Sequence, residues 1–189
     1  LSQWASMDLG MDLGSLKIET QDVKEEDWAE VWKRFYKPFR AGKTLVVKPT
    51  WEHYDEQPGD KIIEIDPGMA FGSGTHETTS MCLGFLEDYM TPGARVIDVG
   101  TGAGFPGMAL AIACPQLHFT LLDAQQKRLT FLQAVIDEVG LTNVTLCHSR
   151  AEDGARKPEL REQFDVAAAR AVAPLAVLAE YLLPYVRVG

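Results

Sequence analysis

The residues of this chain best suited to chemistry lie between Arg95 and Gly107, in the run R-V-I-D-V-G-T-G-A-G-F-P-G. A short apolar stretch (Val96, Ile97, Val99) is interrupted by one acid, Asp98. It breaks at Gly100, Gly102 and Gly104 and resumes as a helix-like run from Met108 to Ala113. A buried strand, a tight glycine turn and an opening helix let backbone approach a nucleotide-like ligand closely. The helix start offers unpaired N–H groups and a partial positive charge. Pro106 suits the first helical turn, where its missing N–H costs little.

Two ligand chemistries fit that turn. From Gly102 the run G-A-G-F-P-G also satisfies G-x-G-x-x-G, the spacing of nicotinamide and flavin nucleotide sites. Asp98 separates the two, because a pyrophosphate gains nothing from a carboxylate there. The ammonium of S-adenosylmethionine does, directly or through water. Asp123 closes the next apolar run, F-T-L-L-D, where it can accept both hydroxyls of a ribose. That serves either ligand, so Asp98 carries the preference for the methyl donor. The alternatives are an NAD-dependent oxidoreductase and a glycine turn with no ligand at all.

The elements that must position these residues follow from periodicity. His118 to Asp123, Val144 to Cys147 and Phe164 to Ala169 read as strands. Lys127 to Val139 reads as an amphipathic helix stopped by Gly140, and Leu175 to Val186 as a helix carrying Pro184. Alternating strands and helices imply a parallel sheet covered on both faces, with ligands at the carboxyl ends of the strands. Asp98, Asp123, Ala151–Glu152–Asp153 and Arg170 all end or follow strands, so they should converge on one edge. Earlier in the chain, Thr44 to Lys48 and Ile62 to Ile65 read as strands on either side of a polar loop. F-G-S-G-T-H-E-T-T (residues 71–79) runs into a helix from Glu77 to Tyr89. Leu16 to Val23 alternates as a strand, and a helix beginning at Asp22 or Glu25 runs to Tyr36 with Trp28, Val31, Trp32 and Phe35 on one stripe. The two M-D-L-G repeats near the start are too short to be a structural period.

At 189 residues the chain can hold one domain with a core, or one domain plus an appendage. Its 46% hydrophobic and 24% charged residues are ordinary for a globular protein. A net charge of −9 argues against nucleic-acid binding by bulk electrostatics and leaves one modest basic patch, Lys127–Arg128 with Arg150, Arg156 and Lys157. Cys82, Cys114 and Cys147 are far apart and lie in apolar runs, so no metal spacing or disulfide framework emerges. Buried reduced thiols in a cytoplasmic protein are expected. No apolar run has transmembrane length and no signal peptide is visible. Because it begins at Leu1, we expect a processed or trimmed chain.

Residues from about 16 to 104 resemble PrmA, the bacterial methyltransferase family that modifies amino groups of a large-subunit ribosomal protein. The resemblance rests on E-E-D-W-A-E-V-W-K-R-F-Y-K-P-F, L-V-V-K-P-T-W and above all I-D-P-G-M-A-F-G-S-G-T-H-E-T-T. Residues from about 96 to 189 resemble RsmG (GidB), the family that methylates a guanine ring nitrogen of small-subunit ribosomal RNA. There the matching runs are D-V-G-T-G-A-G-F-P-G, F-T-L-L-D-A-Q-Q-K-R-L-T-F-L, S-R-A-E-D and A-A-A-R-A-V-A-P-L. The sequence therefore resembles a chimera joined at the glycine motif both families share.

Both resemblances imply an α/β fold with a Rossmann-like class I methyltransferase core, and S-adenosyl-L-methionine as cofactor. The first implies that Thr79, beside His76, borders the cofactor. The second adds Gly100, Phe105, Ala151, Glu152 and Arg170, and both put Asp123 on the ribose. Asp98, Gly102 and Gly104 complete the expected cofactor set. No catalytic base is assigned; His76 is the nearest candidate. The chain departs from the PrmA pattern at Ala169–Arg170–Ala171, where that family carries an asparagine-bearing motif, and almost wholly lacks its N-terminal substrate-recruiting domain.

The expected division is an N-terminal extension over 1–70, with a helix and a β-hairpin, and a cofactor domain over 71–189. The mostly parallel core sheet is expected to be truncated after its fourth strand, in the order 3-2-1-4. That would leave an unpaired edge able to form a homodimer. The expected function is a ribosome-modifying methyltransferase, acting on ribosomal RNA guanine, which the motif around Arg170 favours, or on ribosomal protein amino groups. The alternative is a non-catalytic cofactor-binding module.

Overall fold

The computed structural model describes residues 32–66, 77–89 and 91–188. Leu1–Phe35 forms one compact unit and Tyr36–Gly189 another. Of the first unit, the 3-10 turn Trp32–Phe35 is described. The expected strand at 16–23, the body of the expected helix after it, and the loop with His76 lie outside the described residues.

In the second unit, β1 (Phe39–Arg40), β2 (Leu45–Pro49) and β3 (Lys61–Ile65) form a small sheet in the order β1-β2-β3. The two strands expected as a hairpin, β2 and β3, instead pair in parallel, Leu45 opposite Lys61 through Pro49 opposite Ile65. The hairpin forms instead between β1 and β2, with Phe39 opposite Val47. The polar stretch after β2 is long enough to carry the chain back to the same end of the sheet, which a tight turn cannot do. α1 (Glu77–Tyr89) packs against β2. Its Glu87 accepts the Thr44 N–H at 2.8 Å, together with the Lys43 N–H and the Thr44 hydroxyl, and so fixes the turn that enters β2.

The larger sheet holds β4 (Arg95–Val99), β5 (His118–Asp123), β6 (Val144–His148) and β7 (Val166–Ala169) in the order β6-β5-β4-β7. All its pairings are parallel, so the expected order holds. The pleat sends alternate residues to two cores. Val96, Phe119 and Leu121 join one core with Leu45, Ile63 and Leu83 of the small-sheet side. Ile97, Val99 and Leu122 join the other with Phe164 and Tyr185. Burial on both faces explains why these strands read as continuous apolar runs. Each fully buried leucine contributes about 2 kcal/mol.

α2 (Gly107–Ala113) covers one face beside β5, and α3 (Gln126–Val139), closed at Gly140 as expected, packs on β5 and β6. α4 (Ala151–Gly154) follows β6, and α5 (Leu175–Leu182) packs on β7. The last helix is shorter than expected. Pro184 lacks an N–H and its ring opposes the preceding turn, so the chain tightens to a 3-10 turn, Leu183–Tyr185. That turn drives the Tyr185 ring into the second core, where it is fully buried beside Phe164, ring centroids 6.2 Å apart.

Phe164, expected to begin β7, instead bridges in parallel to Val186. The Arg187 N–H donates to the Phe164 carbonyl at 2.9 Å, so the outer side of the chain entering β7 is covered there. Among the described residues no helix is long and apolar enough to cross a membrane. Of the three free cysteines Cys114 is buried, whereas Cys82 and Cys147 are half-buried; burial pushes all three thiols up.

Candidate functional site

The turn after β4 is held by the end of β5. The Gly100 and Thr101 N–H groups both donate to the Leu122 carbonyl, at 2.8 and 3.1 Å. Gly100 adopts φ +74°, and a Cβ there would lie 2.6 Å from the Val172 side chain, so this position requires glycine.

Asp98 supports the turn from below. It is 1% exposed, and its Oδ2 accepts the Thr101 hydroxyl at 2.8 Å and the Gly107 N–H at 3.0 Å. Its Oδ1 is buried with no hydrogen-bond partner. Burial pushes this carboxyl up to about 6, against the opposing pull of those two hydrogen bonds and of the nearby Arg170 charge. The helix start expected to receive an anion is therefore partly used internally. Gly107 N–H serves Asp98, and Met108 N–H donates to the Gly104 carbonyl at 2.7 Å.

Asp123 ends β5 and is 2% exposed. Its Oδ1 accepts the Gln125 N–H at 2.8 Å. Its Oδ2 accepts the Gly102 N–H at 3.0 Å and the Arg128 Nη1 at 3.3 Å. One carboxylate thus ties the glycine turn to the first turn of α3.

Beside it opens a cleft of about 350 Å³, lined among others by Gly100, Asp123, Arg128, Glu152, Val172 and Tyr181. Its walls come from the segments following β4, β5, β6 and β7, the edge where a parallel sheet accepts ligands. Ala171, also at the wall, has φ +56°, an unusual conformation for a residue with a Cβ. Ala151 opens α4 at the cleft, and its carbonyl accepts the buried Tyr185 hydroxyl at 2.7 Å.

Of the residues expected from sequence, the structure brings Gly100, Asp123, Ala151 and Glu152 to this cleft, with Gly102 joined to it through Asp123. Asp98, Gly104, Phe105 and Arg170 do not line it. Asp98 points to the face shared with Val96 because the two lie two positions apart along the strand. Phe105 packs against the first core. Arg170 follows β7 and lies half-buried near Asp98. Thr79 sits in the first turn of α1, and its side chain lies outside the description. The sequence reading missed Arg128, Val172 and Tyr181 as cleft residues. Arg128 carried a usable signal: a side chain one turn into the helix after β5 must overhang that strand's carboxyl end. Among the described residues no cluster of His, Cys, Asp or Glu could hold a metal ion.

A family model described as "Ribosomal protein L11 methyltransferase (PrmA)" matches residues 2–166. A ribosomal protein L11 methyltransferase from Caldanaerobacter subterraneus subsp. tengcongensis is 44% identical over 149 residues, 77% of this chain and 47% of the relative. Its counterpart from Pelotomaculum thermopropionicum is 60% identical over 94 residues, 50% of this chain and 30% of the relative. The chain thus spans about half the length, or less, of the curated relatives it matches. The solved ribosomal protein L11 methylase of Lactobacillus delbrueckii subsp. bulgaricus shares the fold at TM-score 0.60 and 23% identity, covering 80% of this chain and 76% of that one. The family match runs through the glycine motif and beyond it, past the expected change of family. The PrmA resemblance holds, and nothing in these matches supports a second, RNA-modifying family.

Proposed function

The chain belongs to the ribosomal protein L11 methyltransferase family, and from that premise we propose that it binds S-adenosyl-L-methionine at the edge formed by Asp98, Gly100 and Asp123 and serves methyl transfer to ribosomal protein amino groups. The observation that carries this reading is Asp123. A buried carboxylate opening onto a cleft of about 350 Å³ retains one unused acceptor position on Oδ1. Other features fit the same group. Gly100 lines the same cleft at φ +74°, a conformation open to glycine, and Asp98 anchors the turn from beneath through Thr101 and Gly107.

When bound, the cofactor supplies an electrophilic methyl group on a sulfonium. The chain's own task is positioning and exclusion of water, because the displacement is in line and needs little covalent help. Asp123 would hold the ribose, Gly100 would bring the backbone close, Ala151 and Glu152 would border the base, and Asp98 would fix from beneath the turn that meets the ammonium. Thr79, Gly102, Gly104, Phe105 and Arg170 complete the proposed set, with the cofactor domain over 71–189 and the extension over 1–70. An amine substrate must arrive deprotonated, and no described residue is assigned to remove its proton. Family membership also turns the substrate from RNA, favoured by the sequence reading, towards protein, and it leaves no support for the oxidoreductase alternative.

A second reading, a composite whose later half stems from the RNA-modifying family, rests on the sequence resemblance of residues 96–189 alone. Methyl-transfer assays on the ribosomal protein and on ribosomal RNA separate the two. Homodimerisation through the side of β7 that pairs with no other strand among the described residues belongs to the same proposal and is read by sedimentation; a strict monomer rejects it.

The deciding experiment is calorimetric titration with S-adenosylmethionine and S-adenosylhomocysteine. Saturable binding lost in Asp123→Ala supports the site. Absence of binding by a cooperatively folded chain rejects it.

A further inference from the structure

Asp123 has fewer free acceptor positions than a ribose asks of it. A carboxylate offers about four acceptor positions. The Gln125 N–H occupies one on Oδ1, and the Gly102 N–H and Arg128 Nη1 occupy both on Oδ2. One position remains, and a ribose edge brings two hydroxyls. The two backbone bonds are set by the glycine turn and by the start of α3, so neither can be released without moving an element. Arg128 differs. Its bond is the longest of the three at 3.3 Å, its side chain is 48% exposed, and it lines the same cleft.

Resting on the cofactor reading above, we infer that Arg128 is a displaceable competitor at the ribose edge. It occupies the second acceptor position on Asp123 and must swing out to solvent before both hydroxyls can bind. The residue thereby tunes affinity for the nucleoside part of the cofactor without touching the reacting atoms. The penalty it imposes is that of one half-exposed ion pair, which salt weakens.

The test is calorimetric titration with S-adenosylhomocysteine of the wild-type chain and of Arg128→Gln, at about 50 mM and about 500 mM salt. The glutamine variant should bind about two- to fivefold more tightly at low salt, and raising the salt should narrow that gap by strengthening wild-type binding. A residue that only supports the fold would shift thermal stability without reversing the salt dependence. Weaker binding by Arg128→Gln would overturn the inference, because Arg128 would then hold the cofactor itself. Equal affinities at both salts would overturn it too. If neither folded protein binds while both melt cooperatively, the cofactor reading fails and this inference falls with it.

Discussion

The hydroxyl of Tyr185 donates to the carbonyl of Ala151 at 2.7 Å, joining the turn after α5 to the first residue of α4 at the cleft. Both partners are buried, and burial pushes the Tyr185 hydroxyl well above the usual phenol range. The C-terminal turn is thereby coupled to the wall of the candidate site through one bond and one ring.

Tyr185→Phe should therefore cost about 1 kcal/mol, the usual net value of a buried hydrogen bond, since the Ala151 carbonyl keeps the Ala155 N–H. Tyr185→Ala should cost about 3–5 kcal/mol by leaving a cavity beside Phe164 and Leu122. Urea unfolding of both variants measures the difference, and equal losses would show that packing plays no part.

The Asp98 carboxyl sets a pH dependence. Folded it titrates near about 6, whereas an unfolded aspartate titrates near about 3.9. The native state holds the proton more tightly, so this group's contribution is fully present below about pH 4 and is lost as pH rises through about 6. The swing approaches ~3 kcal/mol. Unfolding midpoints measured on either side of that window should differ less in Asp98→Asn than in the wild type. An identical pH profile in the two proteins would contradict the assignment.

Asn143 ties three carbonyls together: its Nδ2 lies 3.0, 3.4 and 3.1 Å from the oxygens of Ala111, Cys114 and Leu117. These are the end of α2 and the turn into β5. Replacement by alanine strands buried acceptors, and a loss of about 2–3 kcal/mol is expected. Thermal unfolding reads it out, and a near-neutral effect would mean water replaces the amide.

Ala171→Gly should stabilise the chain by roughly 0.5–1 kcal/mol, because the φ of +56° is disfavoured for alanine and open to glycine. A lowered unfolding midpoint would show that the gain in unfolded-state entropy outweighs the relieved strain.

Much of this fold was legible before any coordinates. β5 runs from His118 to Asp123 and α1 from Glu77 to Tyr89, both as periodicity suggested. Gly100, Asp123 and Glu152 meet because each follows a parallel strand, and parallel strands end on the same edge. The parallel pairing of β2 with β3 was not legible, since apolar alternation is identical for either direction. Nor was the inward Tyr185 ring, which depends on how Pro184 breaks a helix against a core already in place.

By itself, then, the sequence determined the elements, their order and the residues delivered to the strand ends, because propensity, glycine turns and side-chain periodicity act between near neighbours. Only the tertiary structure decided what those residues do once there. It turned Asp98 beneath the glycine turn instead of into the cleft, and it set Arg128 on the carboxylate a ribose would use. Which face of the sheet opens, and which side chain reaches a shared acceptor first, is settled by contacts between segments far apart in the chain.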